Sequence, residues 1–540
     1  MSIFVPESFH DSCLFWSEYP LNIIDKALYG RRLHGYRRRL LIIAPTALAQ
    51  DPANVRIPII DISDALAITS CDIRNTKDLR EWLGDTYEQN PINPAKWTGK
   101  LVSKKDPRAR FVFLVNSRDS KRLDLRLEDL VCLGSYHQVM PDYMDFLSVY
   151  GVRGSGKVAA GLRFTGFRSR LVCSEPLPGH VIVDIGRSGR RLELCYNLKS
   201  AVRMVDMPLE PEVKIDQPQE LGFSIQQAAV YHRFDLKLYR SFWMMTDPGS
   251  DLRDTISHLL RNELQPSEVF LSNDDSDLSN ALRFNLDIHL ALVEWATEEW
   301  KWYVDRLEDR VEAITAATKV QPGHSGRPPP IHRDSMYRIQ PYEDLLNQVI
   351  MILESNLEVF SSLTSFYHDV AMNKDLEDEE HATLPSVISS FSASVQEYAN
   401  DTRLRIAHVR DIVKGIADWK FIVSQTIQTN ANDKAEILNN TILELTERSH
   451  NEAIAMRIVT VVTLLYLPPT FVSTFFSTDI IRYQGDGGVM LESFSALAIQ
   501  RWLQVSLPLM LFTCLGAWLW YSWEFRRRVR KRNAAIISRD

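Results

Sequence analysis

At 540 residues the chain is too long for a single hydrophobic core, which predicts two or more domains. A net charge of −7 and a pI near 6.1 leave no global basic surface, which counts against nucleic acid as a partner. With 45% hydrophobic and 24% charged residues and a mean hydropathy of −0.17, the averages describe a soluble globule, so any membrane part is a small fraction of the chain. The six cysteines (Cys13, Cys71, Cys132, Cys173, Cys195, Cys514) are scattered without a C-x-x-C pair, which argues against a disulfide framework or a structural zinc and reads as reduced thiols.

From Met1 through Ser12 the sequence carries Glu7 and Asp11 and no basic-then-apolar order, so neither a secretory signal nor a transit peptide is expected. Up to about residue 250, short β-rich runs alternate with helical ones. RRLLIIAP from Arg38, RFVFLVNS from Arg110, HVIVDI from His180 and RRLELCYNL from Arg190 are predicted strands, giving an α/β or α+β domain over 1–270. GVRGSGKV, from Gly151, fits the outline of a phosphate-binding loop at Gly156 and Lys157. Val158 stands where a hydroxyl should hold Mg²⁺, and no long apolar strand precedes it, so a solvent loop is the better reading and a nucleotide hydrolase is set aside. No other catalytic motif supports an enzyme.

From about Asp277 the character turns helical. ALRFNLDIHLALVEWATEEWKWYVDRLEDRVEAITAATKV predicts one long amphipathic helix, ended by the Pro/Gly stretch 321–333, and a second helix runs from Tyr342 to about Met372. These make a helical part of the same domain over 271–383, closing on the acids Asp375, Glu377, Asp378, Glu379 and Glu380. Such a run is either a solvated face or a regulatory metal sensor. Between Pro385 and Pro468 there is no proline and one glycine, Gly415, with apolar residues recurring at three and four, among them Val409, Ile412, Ile416, Trp419 and Val423. Either a continuous stalk helix over 384–457 or two or three ordinary helices joined by turns near Asn430 to Asp433 follows.

Two uncharged runs end the chain: 19 residues from Ile458 to Phe476 and 22 from Trp502 to Trp523. Each spans about 30 Å of hydrocarbon as a helix, and neither has the polar stripe of a buried core helix. They predict membrane helices over 458–477 and 501–523, joined by a loop over 478–500. Arg526, Arg527, Arg528, Arg530, Lys531 and Arg532 make 524–540 a basic tail, and Trp518, Trp520, Tyr521 and Trp523 sit where an interfacial belt belongs. Both termini are therefore expected in the cytosol, in the plasma membrane or an internal membrane.

In layout the whole chain resembles the CorA family of magnesium channels, in particular a divergent fungal CorA-like branch. MRIVTVVTLLYLPPTFVSTFFSTDI, from Met456 to Ile480, is similar to that family's first span, with its L-P-x-T-F core at Leu467, Pro468, Thr470 and Phe471. SYHQVMPDYMDFLSVYG from Ser135 and FTGFRSR from Phe164 resemble the fungal branch alone. The resemblance implies an α+β cytosolic domain, a long helical stalk and two C-terminal transmembrane helices, assembled as a homopentamer whose first spans line a pore. It further implies transported Mg²⁺ with no organic cofactor, and the acid run as a regulatory Mg²⁺ site. The family's Gly-Met-Asn at the outer mouth is replaced here by Ser477, Thr478 and Asp479, so the ring of amide carbonyls becomes one of carboxylates, a stronger attractor for hydrated divalent cations.

Met456, Val459, Thr463, Leu467, Thr470 and Thr474 share one helical face. Around a five-fold axis the apolar members would gate by dewetting, and the threonines would hold a water-coated ion. The competing reading is that these threonines bond their own backbone or a neighbouring helix. Asp479, about half a turn off that face, reaches the axis only if the helix ends near Ser477; otherwise it is an exposed loop acid. Pro468 and Pro469 predict a kink. The expected function is a divalent cation channel acting in the lipid bilayer as a homo-oligomer. The alternative is a non-conducting membrane-anchored scaffold or sensor with a ligand-binding cytosolic domain.

Overall fold

The computed structural model describes residues 6–89, 97–101, 104–116, 122–151, 162, 164–173, 176, 179–204, 221–263, 278–316, 333–373, 384–477 and 496–537. The chain divides into two units, Met1–Val423 and Ser424–Asp540.

The first unit opens with helices α1 (Glu7–Leu14), α2 (Lys26–Tyr29) and α3 (Arg32–Ala47), then strands β1 (Ile57–Ile62) and β2 (Ile68–Ile73) and helix α4 (Thr76–Leu83). A separate two-stranded ribbon, β3 (Asp85–Gln89) with β4 (Trp97–Leu101), precedes β5 (Ala109–Leu114), α5 (Leu127–His137) and α6 (Tyr143–Leu147). Strands β6 (Phe167–Val172), β7 (Arg191–Arg203), β8 (Phe223–Asp235) and β9 (Ser241–Thr246) follow. They complete a seven-stranded sheet in the order β2-β1-β5-β9-β8-β7-β6, antiparallel except where β5 runs parallel to β9. Helices α7 (Gly249–Glu263), α8 (Leu278–Trp295), α9 (Trp300–Ala316) and α10 (Arg333–Ala371) come next, then α11 (Leu384–Ser477) and α12 (Ala496–Ile537). The boundary between the units falls inside α11.

Strand alternation explains why the sheet carries two cores. Along β7, Leu192, Leu194, Tyr196 and Leu198 enter a core shared with α8, α10 and the start of α11, whereas Cys195 enters a second one with α1, α3, α5 and α6. Neighbouring strands keep the register: Phe111 and Phe113 side with the first set, Val112 and Leu114 with the other. Helices thus cover both faces of the sheet, and β7 is buried on both sides.

Three sequence expectations change here. RRLLIIAP is not a strand but the body of α3: Leu33, Tyr36, Leu40, Ala44 and Ala47 are buried at helical spacing, while Leu41 and Ile42 stay exposed. HVIVDI is a tight turn, with Ile182 bridging Arg187, a short 3₁₀ turn at Val183–Ile185, and Gly186 at φ 89°. The long helix expected after Asp277 is two helices, broken between Trp295 and Trp300. There the Thr297 hydroxyl donates to the Val293 and Glu294 carbonyls, and Trp300 Nε1 donates to the Ala296 carbonyl, side-chain bonds that compete with the helix ladder.

Helices within Met336–Ala371, Leu384–Ser477 and Ile499–Arg527 are each long and apolar enough to cross a membrane by length and composition. Half of the first one's apolar window is buried inside the protein, against 11% and 6% for the other two. Val359, Phe360, Leu363, Tyr367 and Val370 are among the buried residues by which α10 packs into the core shared with β7.

Candidate ion pathway

In α11 the apolar stripe Ile406, Val409, Ile416, Trp419 and Val423 is buried, after which the helix is largely exposed, Ile437, Leu438, Ile442, Leu443 and Leu445 included. Met456, Val459 and Leu467 are 69%, 61% and 63% exposed, large apolar side chains with no protein cover. Thr463, Thr470 and Thr474 are exposed beside them. At about 100° per residue the six occupy an arc of about 80°, centred on the side of the helix opposite Pro468 and Val472. Pro468 and Val472 are the buried positions of this segment, and α12 offers buried Ser506 and a bond from Trp502 Nε1 to Ser473 Oγ of 2.9 Å. The helix pair therefore covers Pro468 and Val472 and leaves the six-residue face uncovered, together with Ile458, Val461, Val462, Tyr466 and Phe471.

Each threonine hydroxyl on that face donates to its own helix: Thr463 to the Val459 carbonyl at 2.7 Å, Thr470 to the Tyr466 carbonyl at 2.8 Å, and Thr474 to the Thr470 carbonyl. With the proton committed, the oxygen presents only lone pairs outward. Such an oxygen accepts from the water shell of a cation. Backbone bonding and ion contact are thus compatible for these side chains.

Ser477 closes α11, its hydroxyl donating to the Thr474 carbonyl at 2.9 Å. Thr478 and Asp479 lie outside the described residues, as do Asp375, Glu377, Asp378, Glu379 and Glu380, and Gly156 with Lys157. The helix runs through Pro468 and Pro469 as one element. On α12, Trp518, Trp520, Tyr521 and Trp523 are exposed, and the Arg527 guanidinium lies over the Trp523 ring at 5.4 Å.

Two charged groupings of the first unit escaped the sequence reading. Asp305, Glu308 and His408 bring one ligand atom each within 4.8 Å of one another, with His408 Nε2 3.0 Å from Glu308. No spacing joins a histidine to acids about a hundred residues earlier, and the exposed ion pair alone accounts for the contact.

The other grouping is a layer of buried ions on the sheet face toward α5. Arg110 forks onto Asp61 at 2.8 and 2.7 Å, and Arg187 Nε reaches Asp106 at 2.8 Å. Asp25 accepts from Arg191 at 2.7 Å and Arg170 at 3.2 Å and meets His180 Nε2 at 2.7 Å. Burial alone would raise the Asp25 carboxyl, but the His180 hydrogen bond and the Arg191 and Arg170 charges outweigh it and hold it below the usual carboxylate value. Asp106 is likewise held down by Arg187 and Arg110 against its burial. The sequence signal was the charged residues set into apolar strands, as in RRLELCYNL, where Arg191 and Glu193 alternate with leucines.

A family model described as CorA-like transporters matches residues 11–319, more than half of the chain. The chain belongs to the CorA-like transporter family. Members of that family are transporters and not enzymes, and its apolar helices together with that membership make this CorA-like chain a membrane protein. The matched residues lie wholly in the first unit. No curated protein matches this CorA-like chain. Among solved structures, the full-length CmaX protein is similar at 10% identity and a TM-score of 0.29, covering 85% of this chain and 97% of its own. The ZntB cytoplasmic domain from Vibrio parahaemolyticus RIMD 2210633 is similar at 11% identity and a TM-score of 0.27, covering 67% of this chain and 98% of its own. At those TM-scores neither likeness carries weight for the function of this chain.

Proposed function

We propose that this CorA-like protein is a divalent cation channel that passes hydrated Mg²⁺ down its electrochemical gradient, along the axis of a homo-oligomer, by family analogy a pentamer. The chain crosses the bilayer twice, through 458–477 and 501–523, with both termini cytosolic and the loop 478–500 outside. The single observation that carries the reading is the uncovered face of α11, where three apolar side chains share one arc with three hydroxyls whose protons are already spent. An apolar face of this size is not left to water. Lipid would be satisfied by apolar groups alone, whereas lone-pair rings every one to two turns suit a cation that keeps its water shell. The half-buried window of α10 supports counting that helix as core and the other two as spans.

At the outer mouth, Ser477, Thr478 and Asp479 set the approach of the ion, Asp479 supplying a carboxylate ring, and the acids 375–380 serve as a cytosolic Mg²⁺ sensor. Purified protein in liposomes loaded with a Mg²⁺ dye tests the channel. Wild type is expected to give influx, Thr470→Val and Asp479→Ala to lower it, and protein that inserts without any influx would point instead to a non-conducting anchored sensor.

A further inference from the structure

In the first unit a cavity of about 30 Å³ is lined by Arg110, Arg187, Arg191, Arg233, His137 and Phe242, among others. Its hydrogen-bond accounting does not close. The acids at its wall are spent: Asp106 accepts from Arg187 at 2.8 Å and from the Tyr136 hydroxyl at 3.1 Å, and Asp235 accepts from the Ser188 amide and hydroxyl, both at 2.7 Å, and from the Leu238 amide at 2.8 Å. The donors are in excess. Arg110, 5% exposed, uses Nε and Nη2 on Asp61 and leaves Nη1 without a partner. Arg187, 7% exposed, gives Nε to Asp106 and Nη1 to the Tyr136 carbonyl and leaves Nη2 without one. His137, stacked on Phe242 with ring centroids 3.7 Å apart, has neither ring nitrogen bonded.

Arg233, half-buried, adds a cation that makes no close ion pair. It donates to the His137 carbonyl, and no carboxylate lies within ion-pair distance of it among the described residues. Burial and the neighbouring Arg187 cation push its pKa down, outweighing the more distant Asp106 and Glu193 charges that favour the cation. Leaving buried guanidinium donors unpaired is costly, and two such donors beside a third guanidinium ask for an acceptor with negative charge.

We infer that this cavity is an anion-binding site, taking one compact inorganic anion, of chloride or orthophosphate chemistry, against Arg110, Arg187 and Arg233. The volume holds about one or two waters, which leaves no room for a base and ribose. The bound anion would neutralise Arg233 and close the donor count, tying α5 to β5, β8 and the Arg187 turn. The site is distinct from the ion pathway and stands whether or not the chain conducts.

The test is thermal melting of the full-length protein in detergent, in a gluconate buffer of fixed ionic strength, titrated with chloride, with orthophosphate or with ATP. A saturable rise in melting temperature with chloride or with orthophosphate is the expected result, and which of them acts identifies the anion. Arg233→Gln should weaken that binding about tenfold to a hundredfold, the value of one charged hydrogen bond. Arg233→Lys should restore part of the affinity. Calorimetric titration of the wild-type protein reads the same binding without any variant. No saturable response to either inorganic anion, a response to ATP alone, or an undiminished response in Arg233→Gln would overturn the assignment and leave a cavity filled by water.

Discussion

Replacing Lys199 by methionine should stabilise the protein, although it removes a hydrogen bond. Lys199 sits in β7 with no exposed surface, and its Nζ donates to Ser355 Oγ at 3.1 Å with no carboxylate in ion-pair range among the described residues. Burial lowers its pKa from 10.5 to about 8. At 1.36 kcal/mol per unit, that gap corresponds to about 3 kcal/mol of destabilisation while both states hold the proton. The sign follows from proton counts: between pH 8 and 10.5 the unfolded chain keeps a proton that the folded chain has lost, so stability rises with pH across that window. Below it the full cost is present. Lys199→Met keeps the side chain's length, and Ser355 Oγ retains its own bond to the Ile352 carbonyl at 2.7 Å, so no new orphan is created. The expected gain at pH 7 is about 1–3 kcal/mol, read by urea denaturation of the detergent-solubilised protein, and it should shrink as pH approaches 10.5. A variant no more stable than wild type at pH 7, or a gain that does not change with pH, would refute the reasoning.

Asp25→Asn should cost about 3 kcal/mol by leaving Arg191 and Arg170 short of counter-charge in a buried site. Because the wild-type carboxyl is held below its ordinary value, its contribution is present above the unfolded pKa near 3.8 and is lost as pH falls through the folded one, so the variant should show a shallower acid limb in urea melts. Gly134→Ala places a Cβ 2.8 Å from the Tyr19 ring, which is fully buried and pinned by its hydroxyl to the Val139 carbonyl at 2.8 Å, and should lower stability by about 1–3 kcal/mol in the same assay. Leu467→Ser should raise Mg²⁺ influx in liposomes by wetting an apolar ring of the pathway; unchanged influx would remove Leu467 from it.

The two long apolar helical stretches near the end of the sequence and the stripe of α11 were legible because they depend on local composition and on a single period. Strands β5 and β7 were legible for the same reason, being runs of β-branched, aromatic and leucine residues. The failures came where tertiary context chose between periods. Leu40 to Ile43 satisfies a strand pattern by itself, and only the burial of Tyr36 and Ala44 on the same side shows the helix. The break at Thr297 needed knowledge of which side chains would take the carbonyls of α8. Strand β8 carries polar residues such as Gln226, Gln227 and His232 inside its run, of which His232 is buried with Asn285 of α8 as partner at 3.1 Å. Of the proposed pathway, the shared face was readable from spacing, but its lying opposite Pro468 and Val472, the buried positions, was not. The unpaired arginines are invisible in sequence, because a partner's absence is a property of the fold.

The pathway itself is tested most directly by which side of α11 touches water during transport. In a Cys514→Ser background, since Cys514 is an exposed thiol of the hairpin, single cysteines at Thr463, Thr470, Leu464 and Val472 are treated with a water-soluble thiol reagent while Mg²⁺ influx into liposomes is recorded. Block through Thr463→Cys and Thr470→Cys, with none through Leu464→Cys and Val472→Cys, is the expected result. Equal block from both sides, or block from the Leu464 and Val472 side alone, contradicts an ion path along the uncovered face.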